Sequence, residues 1–137
     1  MQRYQNYAEG KWFDGEGVET SLYNTISGEK IGEVSSIGLD YKAMMEYAVK
    51  NGGHALRKMT FQERGRMIKA LALHLMELKS KYYQVSAWTG ATKVDSWIDI
   101  EGGIGNLFAN ASLRKQFPDL PYYVDGVAAP LSKEGTF

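Results

Sequence analysis

The pattern of apolar and polar residues divides the chain into two kinds of structure. Residues 4–36 contain short apolar runs separated by turn residues, with Ser27 and Gly28 between two of the runs. This spacing is typical of strands joined by tight turns, and it predicts a small antiparallel β element. From about Leu39 the apolar residues recur at helical spacing. Asp40 is placed to cap this first helix, and the Asn-Gly-Gly run at 51–53 predicts its end.

A capping box marks the start of a longer helix. The hydroxyl of Thr60 can accept from the backbone N–H of Glu63, while the Glu63 carboxylate reaches back to Thr60. The apolar stripe that follows consists of Met67, Ile68, Leu71, Leu75, Leu78 and Tyr82. Residues that share a face at 100° per residue predict one continuous helix, which we expect to end at Thr89 and Gly90.

A last helix is predicted from Asp95 and Ser96 to about Lys115, where Phe117 and Pro118 break it. Its two faces differ sharply. The apolar face carries Trp97, Ile100, Ile104, Leu107, Phe108 and Ala111. The opposite face carries Gly102, Gly105, Asn106 and Ala109.

Three glycines inside this helix, Gly102, Gly103 and Gly105, require an explanation. Each costs about 0.8 to 1 kcal/mol of helix stability relative to alanine. Two readings account for the missing side chains. Another backbone packs closely against the bare face, or the face borders a cavity or a substrate passage.

The end of the chain has a different character. Residues 122–124 read as a strand, Asp125 and Gly126 as a turn, and the remainder as extended chain. The segment as a whole is therefore predicted to be mainly helical, with a small antiparallel β element at the start and an extended tail.

Composition narrows the classes of function. The 137 residues are 44% hydrophobic and 23% charged, which suits one folded domain. Sixteen basic and sixteen acidic residues cancel, so no broad positive field favours nucleic acid. The chain contains no cysteine, which excludes disulfides and thiolate metal sites within it. The sequence has no apolar run long enough for a signal peptide or a membrane span, and we expect a cytoplasmic protein without a membrane partner.

Residue chemistry by itself assigns no catalytic, cofactor or metal site. The run Gly102-Gly103-Ile104-Gly105 lacks the third glycine and the preceding strand of a dinucleotide fingerprint. His54 and His74 have no partners at metal-ligand spacing. Three carboxylates lie close in sequence: Asp95, Asp99 and Glu101. Their position near a helix start favours a role at the helix dipole over acid–base work. Residue chemistry alone favours a stand-alone helical interaction or scaffold module.

Several runs carry a resemblance to a known family. The Gly-Lys-Trp run at 10–12 and residues 23–34 resemble the opening of the aldehyde dehydrogenase superfamily, and the helix from Phe61 resembles its second helix. More specific are residues 86–105 and the tail at 130–137. These resemble the ring-opening semialdehyde dehydrogenases of aerobic phenylacetate degradation.

The resemblance implies a longer oxidoreductase with an α/β fold, of which this chain is the amino-terminal part. It implies that residues 1–121 begin an NAD(P)-binding domain and that residues 122–137 begin an oligomerisation strand arm. The implied cofactor is NADP or NAD, the substrate a CoA-linked aldehyde, and the partners are the remainder of the same chain and further copies in a homo-oligomer.

The resemblance transfers no catalytic residue to this chain. The cysteine nucleophile, glutamate base, oxyanion asparagine and cofactor loops belong to later sequence in the family, and we expect these residues alone to be inactive and to bind no cofactor. In related dehydrogenases a helix in this region borders the substrate passage. The resemblance therefore implies that Gly102, Gly105, Asn106 and Ala109 line that passage.

Overall fold

The computed structural model describes residues 2–17 and 20–126. Its first part consists of two separate antiparallel pairs. Strand β1 (Asn6–Ala8) pairs with β2 (Lys11–Phe13), and β3 (Thr20–Tyr23) pairs with β4 (Lys30–Val34). The predicted small antiparallel β element is confirmed.

The turn between β3 and β4 is built by local hydrogen bonds. The side-chain oxygen of Asn24 accepts from the backbone N–H groups of Ile26 and Ser27, at 2.9 and 3.3 Å. Gly28 follows with φ +73°, a conformation that glycine adopts without strain. The predicted turn at Ser27 and Gly28 is therefore confirmed, with Asn24 as an additional contributor.

Five α-helices follow the sheets. They are α1 (Tyr41–Tyr47), α2 (His54–Lys58), α3 (Phe61–Glu77), α4 (Lys79–Trp88) and α5 (Lys93–Ser112). A π-helical segment, Ala48–Gly53, joins α1 to α2, and a 3₁₀ turn, Leu113–Gln116, extends α5. The described chain is thus mainly helical with small antiparallel sheets, as predicted.

Two predicted helix starts are confirmed by their caps. Asp40 accepts from the N–H of Ala43 at 2.9 Å. Thr60 and Glu63 form the reciprocal capping box, with bonds of 3.2 and 2.8 Å. Both motifs satisfy N–H groups that the first helical turn leaves without partners.

Three predicted helix boundaries are wrong. The glycines at 51–53 do not stop the first helix, because Gly53 takes a right-handed helical conformation and the chain continues through the π-helical segment into α2. The long helix from Thr60 is interrupted at Leu78, whose N–H is shared between the carbonyls of His74 and Leu75. The last helix starts two residues before Asp95, because Thr92 caps it and Asp95 completes a second capping box.

The core lies between α3 and α5, and it uses smaller residues than the predicted stripe. Gly65 and Ala72 of α3 are buried, whereas Met67 and Leu71 remain 46% and 49% exposed. A Cβ atom added to Gly65 would lie 3.0 Å from the carbonyl oxygen of Ala111. Close approach of the two helices therefore turns α3 by about one residue from the predicted face.

The described tail is held against the start of α3 without forming a strand. The Phe117 ring stacks on Phe61 with centroids 4.6 Å apart, and Tyr123 contacts Phe117 edge-on at 5.4 Å. The Phe61 N–H donates to the Leu120 carbonyl at 3.0 Å. The predicted strand at 122–124 is wrong, because this segment pairs with no strand in the part of the chain described. The rest of the predicted extended tail, 127–137, lies outside the described residues.

Candidate functional site on the fifth helix

The structure brings all four residues of the predicted bare face to one open side of α5. Gly102, Gly105, Asn106 and Ala109 are all exposed. Asn106 is the only one of the four with a polar side chain, and its Oδ1 accepts from Nδ2 of Asn110 at 2.8 Å. We call this set the open face.

Nothing described packs against the glycines of the open face. A Cβ atom added to Gly102, Gly103 or Gly105 would meet no atom within 4 Å. Within residues 2–17 and 20–126, the close backbone packing that would explain the glycines is therefore absent. The second reading, a border of a cavity or passage, is left for the protein's assembled form.

The opposite side of α5 forms the helix contacts. Ser96, Ile104 and Ala111 are buried, and the Ser96 hydroxyl lies 2.8 Å from that of Ser86 on α4. Trp97, which the periodicity placed on this apolar face, is 56% exposed. The prediction for Trp97 is wrong, because the residue sits at the edge of the stripe and α4 does not cover it.

Trp97 instead borders the widest recess near α5. The recess has a volume of about 390 Å³ and is lined by Tyr83, Lys93, Val94, Trp97 and Glu101. Val94 and Ile98, one helical turn apart, are also exposed. At 100° per residue they lie in line with Gly105 and Ala109. The open face therefore continues an exposed apolar strip from the start of the helix.

A polar cluster closes one side of this recess. The Tyr83 hydroxyl donates to Oε1 of Glu101 at 3.0 Å, and Lys79 Nζ lies 3.2 Å from the same oxygen. The hydrogen bond from Tyr83, then that from Lys79, lowers the pKa of Glu101. Burial, and next the bond to Glu101, raises the pKa of Tyr83. Sequence reasoning missed this cluster because its members come from two helices with no local pattern joining them.

The three neighbouring carboxylates do not form an acid–base pair. Asp95 accepts from the Thr92 hydroxyl and N–H at the helix cap, whereas Glu101 is held by Tyr83 and Lys79. Their separate partners agree with structural roles. In the described part of the chain, no three histidine, aspartate or glutamate side chains come together in a way that could hold a metal ion.

The glycine run in α5 does not fit a nicotinamide dinucleotide. Residues 102–105 lie in the middle of the helix, so their N–H groups bond within it. A phosphate cradle needs free N–H groups at a glycine-rich turn that opens a helix. The rejection of this run as a dinucleotide fingerprint is confirmed.

A second recess lies at the carboxyl end of α5, with a volume of about 150 Å³. It is lined by Lys69, Phe108, Ala111, Ser112, Arg114 and Lys115. We call it the cationic pocket. The adjacent Arg114 and Lys115 were visible in the sequence, but only the packing of α3 on α5 brings Lys69 to them.

Much of the apolar surface of the chain is uncovered. Among the described residues, Ala8, Ala72, Ile104 and Ala111 are the buried apolar side chains, and none of the large ones is fully buried. The whole chain exposes 10286 Å², against roughly 7,100 Å² expected for a folded monomer of its mass. A further protein surface is the simplest cover for these apolar faces.

Comparison with known proteins adds the class of protein. No family model matches the chain. The chain is similar to 3,4-dehydroadipyl-CoA semialdehyde dehydrogenase of Aromatoleum evansii, with 31% identity over 133 residues. The match covers 96% of this chain and 26% of that protein, so the chain spans about a quarter of the length of its curated relative. The predicted resemblance to the aldehyde dehydrogenases is confirmed by this match.

One negative observation concerns membranes. No helix in the described ranges combines the length and the apolar character that a bilayer crossing requires.

Proposed function

We propose that these residues form the amino-terminal part of an NAD(P)-dependent aldehyde dehydrogenase that oxidises a CoA-linked semialdehyde. The observation that carries the proposal is the match along 96% of the chain to a dehydrogenase whose name specifies such a substrate. The runs that resemble ring-opening semialdehyde dehydrogenases favour phenylacetate degradation as the pathway.

In this proposal the chain supplies scaffold and the wall of a substrate passage. Residues 1–121 begin the NAD(P)-binding domain, and residues 122–137 begin the oligomerisation arm of a cytoplasmic homo-oligomer. Gly102, Gly105, Asn106 and Ala109 line the passage. The nucleophile, base and cofactor loops belong to further sequence, since the chain has no cysteine and the described residues offer no cradle for the dinucleotide.

The uncovered apolar surface supports this proposal. Val94, Trp97 and Ile98 on α5, together with Met67 and Leu71 on α3, are exposed and would be covered by the remainder of a dehydrogenase. Burial of about 25 cal/mol per Å² of apolar surface would stabilise that arrangement. A stand-alone interaction or scaffold module is the second candidate, and the same exposed residues would then serve a separate partner.

Two measurements test the proposal. Reading the coding sequence past the codon for Phe137 decides between the candidates, since a continuing dehydrogenase sequence supports the first and an immediate stop supports the module. The protein encoded by the continuous frame should reduce NADP or NAD when given a CoA-linked semialdehyde, measured by the absorbance of the reduced cofactor. The 137 residues alone should show no turnover, and turnover in a purified sample would contradict the assignment.

A further inference from the structure

The cationic pocket joins positive groups from different elements. Lys69 comes from the middle of α3, and Arg114 and Lys115 come from the 3₁₀ turn after α5. We propose that this pocket binds the phosphate groups of coenzyme A, and this inference rests on the proposed function for the choice of ligand.

Helix electrostatics explain only part of the cluster. Arg114 and Lys115 follow the carboxyl end of α5, where cations stabilise the negative end of the helix dipole. Lys69 belongs to a different helix, eight residues before its last residue Glu77, so the dipole of α3 does not explain its position. Its approach to Arg114 and Lys115 places like charges together, which an anion would stabilise.

The lysines of the pocket are available to a ligand. Lys69 and Lys115 are exposed, and neither takes part in the ion pairs found within the described ranges, which involve Lys30, Lys50 and Lys79 among the lysines. No carboxylate lines the pocket. A phosphate entering here would therefore displace water and meet no repelling group from the lining.

Arg114 is already oriented. One of its terminal nitrogens donates to the Ala111 carbonyl at 2.7 Å, which fixes the guanidinium at the pocket. Guanidinium carries five N–H donors, so donors remain for phosphate oxygens. A fixed arginine with two mobile lysines suits a group of several negative charges.

Coenzyme A matches the pocket in charge distribution. Its phosphates lie at the nucleotide end, and its neutral pantetheine arm carries the acyl group. Ala109 of the open face and Ser112 of the pocket are three residues apart on α5, and the Ser112 hydroxyl donates to the Ala109 carbonyl at 2.7 Å. Phosphates in the pocket would leave the arm free to run along α5 toward the amino end of the helix.

Calorimetric titration of the 137-residue chain tests the site. Coenzyme A should bind at low salt and weaken as salt is raised, because exposed charges are screened. Pantetheine, which lacks the nucleotide phosphates, should bind at least tenfold more weakly. Lys69→Gln and Lys115→Gln should each weaken coenzyme A binding at least fivefold. The matched control Lys42→Gln, on α1, should leave it unchanged.

Defined outcomes overturn the site. These are coenzyme A binding that is insensitive to both lysine substitutions, pantetheine binding as tightly as coenzyme A, and NADP binding more tightly than coenzyme A. The last result would assign the phosphates to the cofactor instead.

A second measurement separates this site from the proposed function. In the protein encoded by the continuous frame, Lys69→Gln should raise KM for the CoA-linked semialdehyde at least fivefold and leave KM for a short aldehyde unchanged. Unchanged KM for both substrates overturns the site while the dehydrogenase assignment stands. Absence of turnover by the unsubstituted protein overturns the dehydrogenase assignment.

Discussion

The hydroxyl of Tyr83 donates a hydrogen bond of 3.0 Å to Oε1 of Glu101, and so joins α4 to α5. Lys79 approaches the same oxygen at 3.2 Å. The carboxylate is therefore held by a neutral and a charged donor one helical turn apart on α4. This cluster closes the recess beside Trp97, and its protonation state can be measured.

Acid should weaken the fold in part through Glu101. Its pKa is lowered in the folded protein, first by the bond from Tyr83 and then by that from Lys79. A lowered folded-state pKa gives stability that is complete above the unfolded value of about 4.3 and is lost as pH falls through the folded value. Urea unfolding at several pH values should show a shallower acid dependence for Glu101→Gln. Glu46→Gln, which removes an exposed carboxylate paired with Lys50, is the control and should keep the original dependence.

Tyr83→Phe should raise the pKa of Glu101 toward its ordinary value, because the hydroxyl is the largest cause of the lowering. Carbon-detected NMR titration of the Glu101 carboxylate measures this directly. Lys79→Gln should produce a smaller rise, since the lysine is the second cause. A larger effect of Lys79→Gln than of Tyr83→Phe would contradict the order of the two contributions.

Two glycine substitutions should change stability in opposite directions. A Cβ atom at Gly65 would lie 2.6 Å from Cδ of Arg114 and 3.0 Å from the Ala111 carbonyl oxygen. Gly65→Ala should therefore lower the free energy of unfolding by about 1 to 3 kcal/mol. Gly102→Ala meets nothing within 4 Å and should raise it by up to about 1 kcal/mol. Urea unfolding of both variants provides the comparison, and destabilisation by Gly102→Ala would show that the open face is covered.

The capping box at Thr92 should be as important as the one recognised at Thr60. Its hydroxyl accepts from the N–H of Asp95 at 3.2 Å. Thr92→Ala should lower the free energy of unfolding by about 1 kcal/mol, whereas Thr92→Ser keeps the acceptor and should change it little. Equal losses for both variants would mean that the methyl group, rather than the cap, stabilises this end of α5.

A bulky residue on the open face tests the substrate passage. In the protein encoded by the continuous frame, Gly105→Leu should reduce turnover of a CoA-linked semialdehyde far more than turnover of a short aldehyde. The free energy of unfolding of the 137-residue chain should not fall, because the substituted side chain meets no described atom. Equal loss with both substrates, accompanied by a sharp fall in thermal stability of the longer protein, would indicate close packing and remove these residues from the site.

The sequence by itself determined the local features of this protein. The caps at Asp40 and Thr60 and the turn at Ser27 and Gly28 were all readable, because each is formed by groups within a few residues of one another. The distinct face of Gly102 to Ala109 was readable for the same reason, since helical periodicity alone sorts residues onto faces.

Tertiary structure decided which faces meet and which stay open. Close approach of α3 and α5 buried Gly65 and Ala72 and left Met67 exposed, although hydrophobicity alone ranks Met67 as the better core residue. The same packing carried Lys69 to Lys115, which the sequence separates by 46 positions. Such contacts depend on the geometry of two helices together, and the periodicity of either helix alone contains no information about its partner.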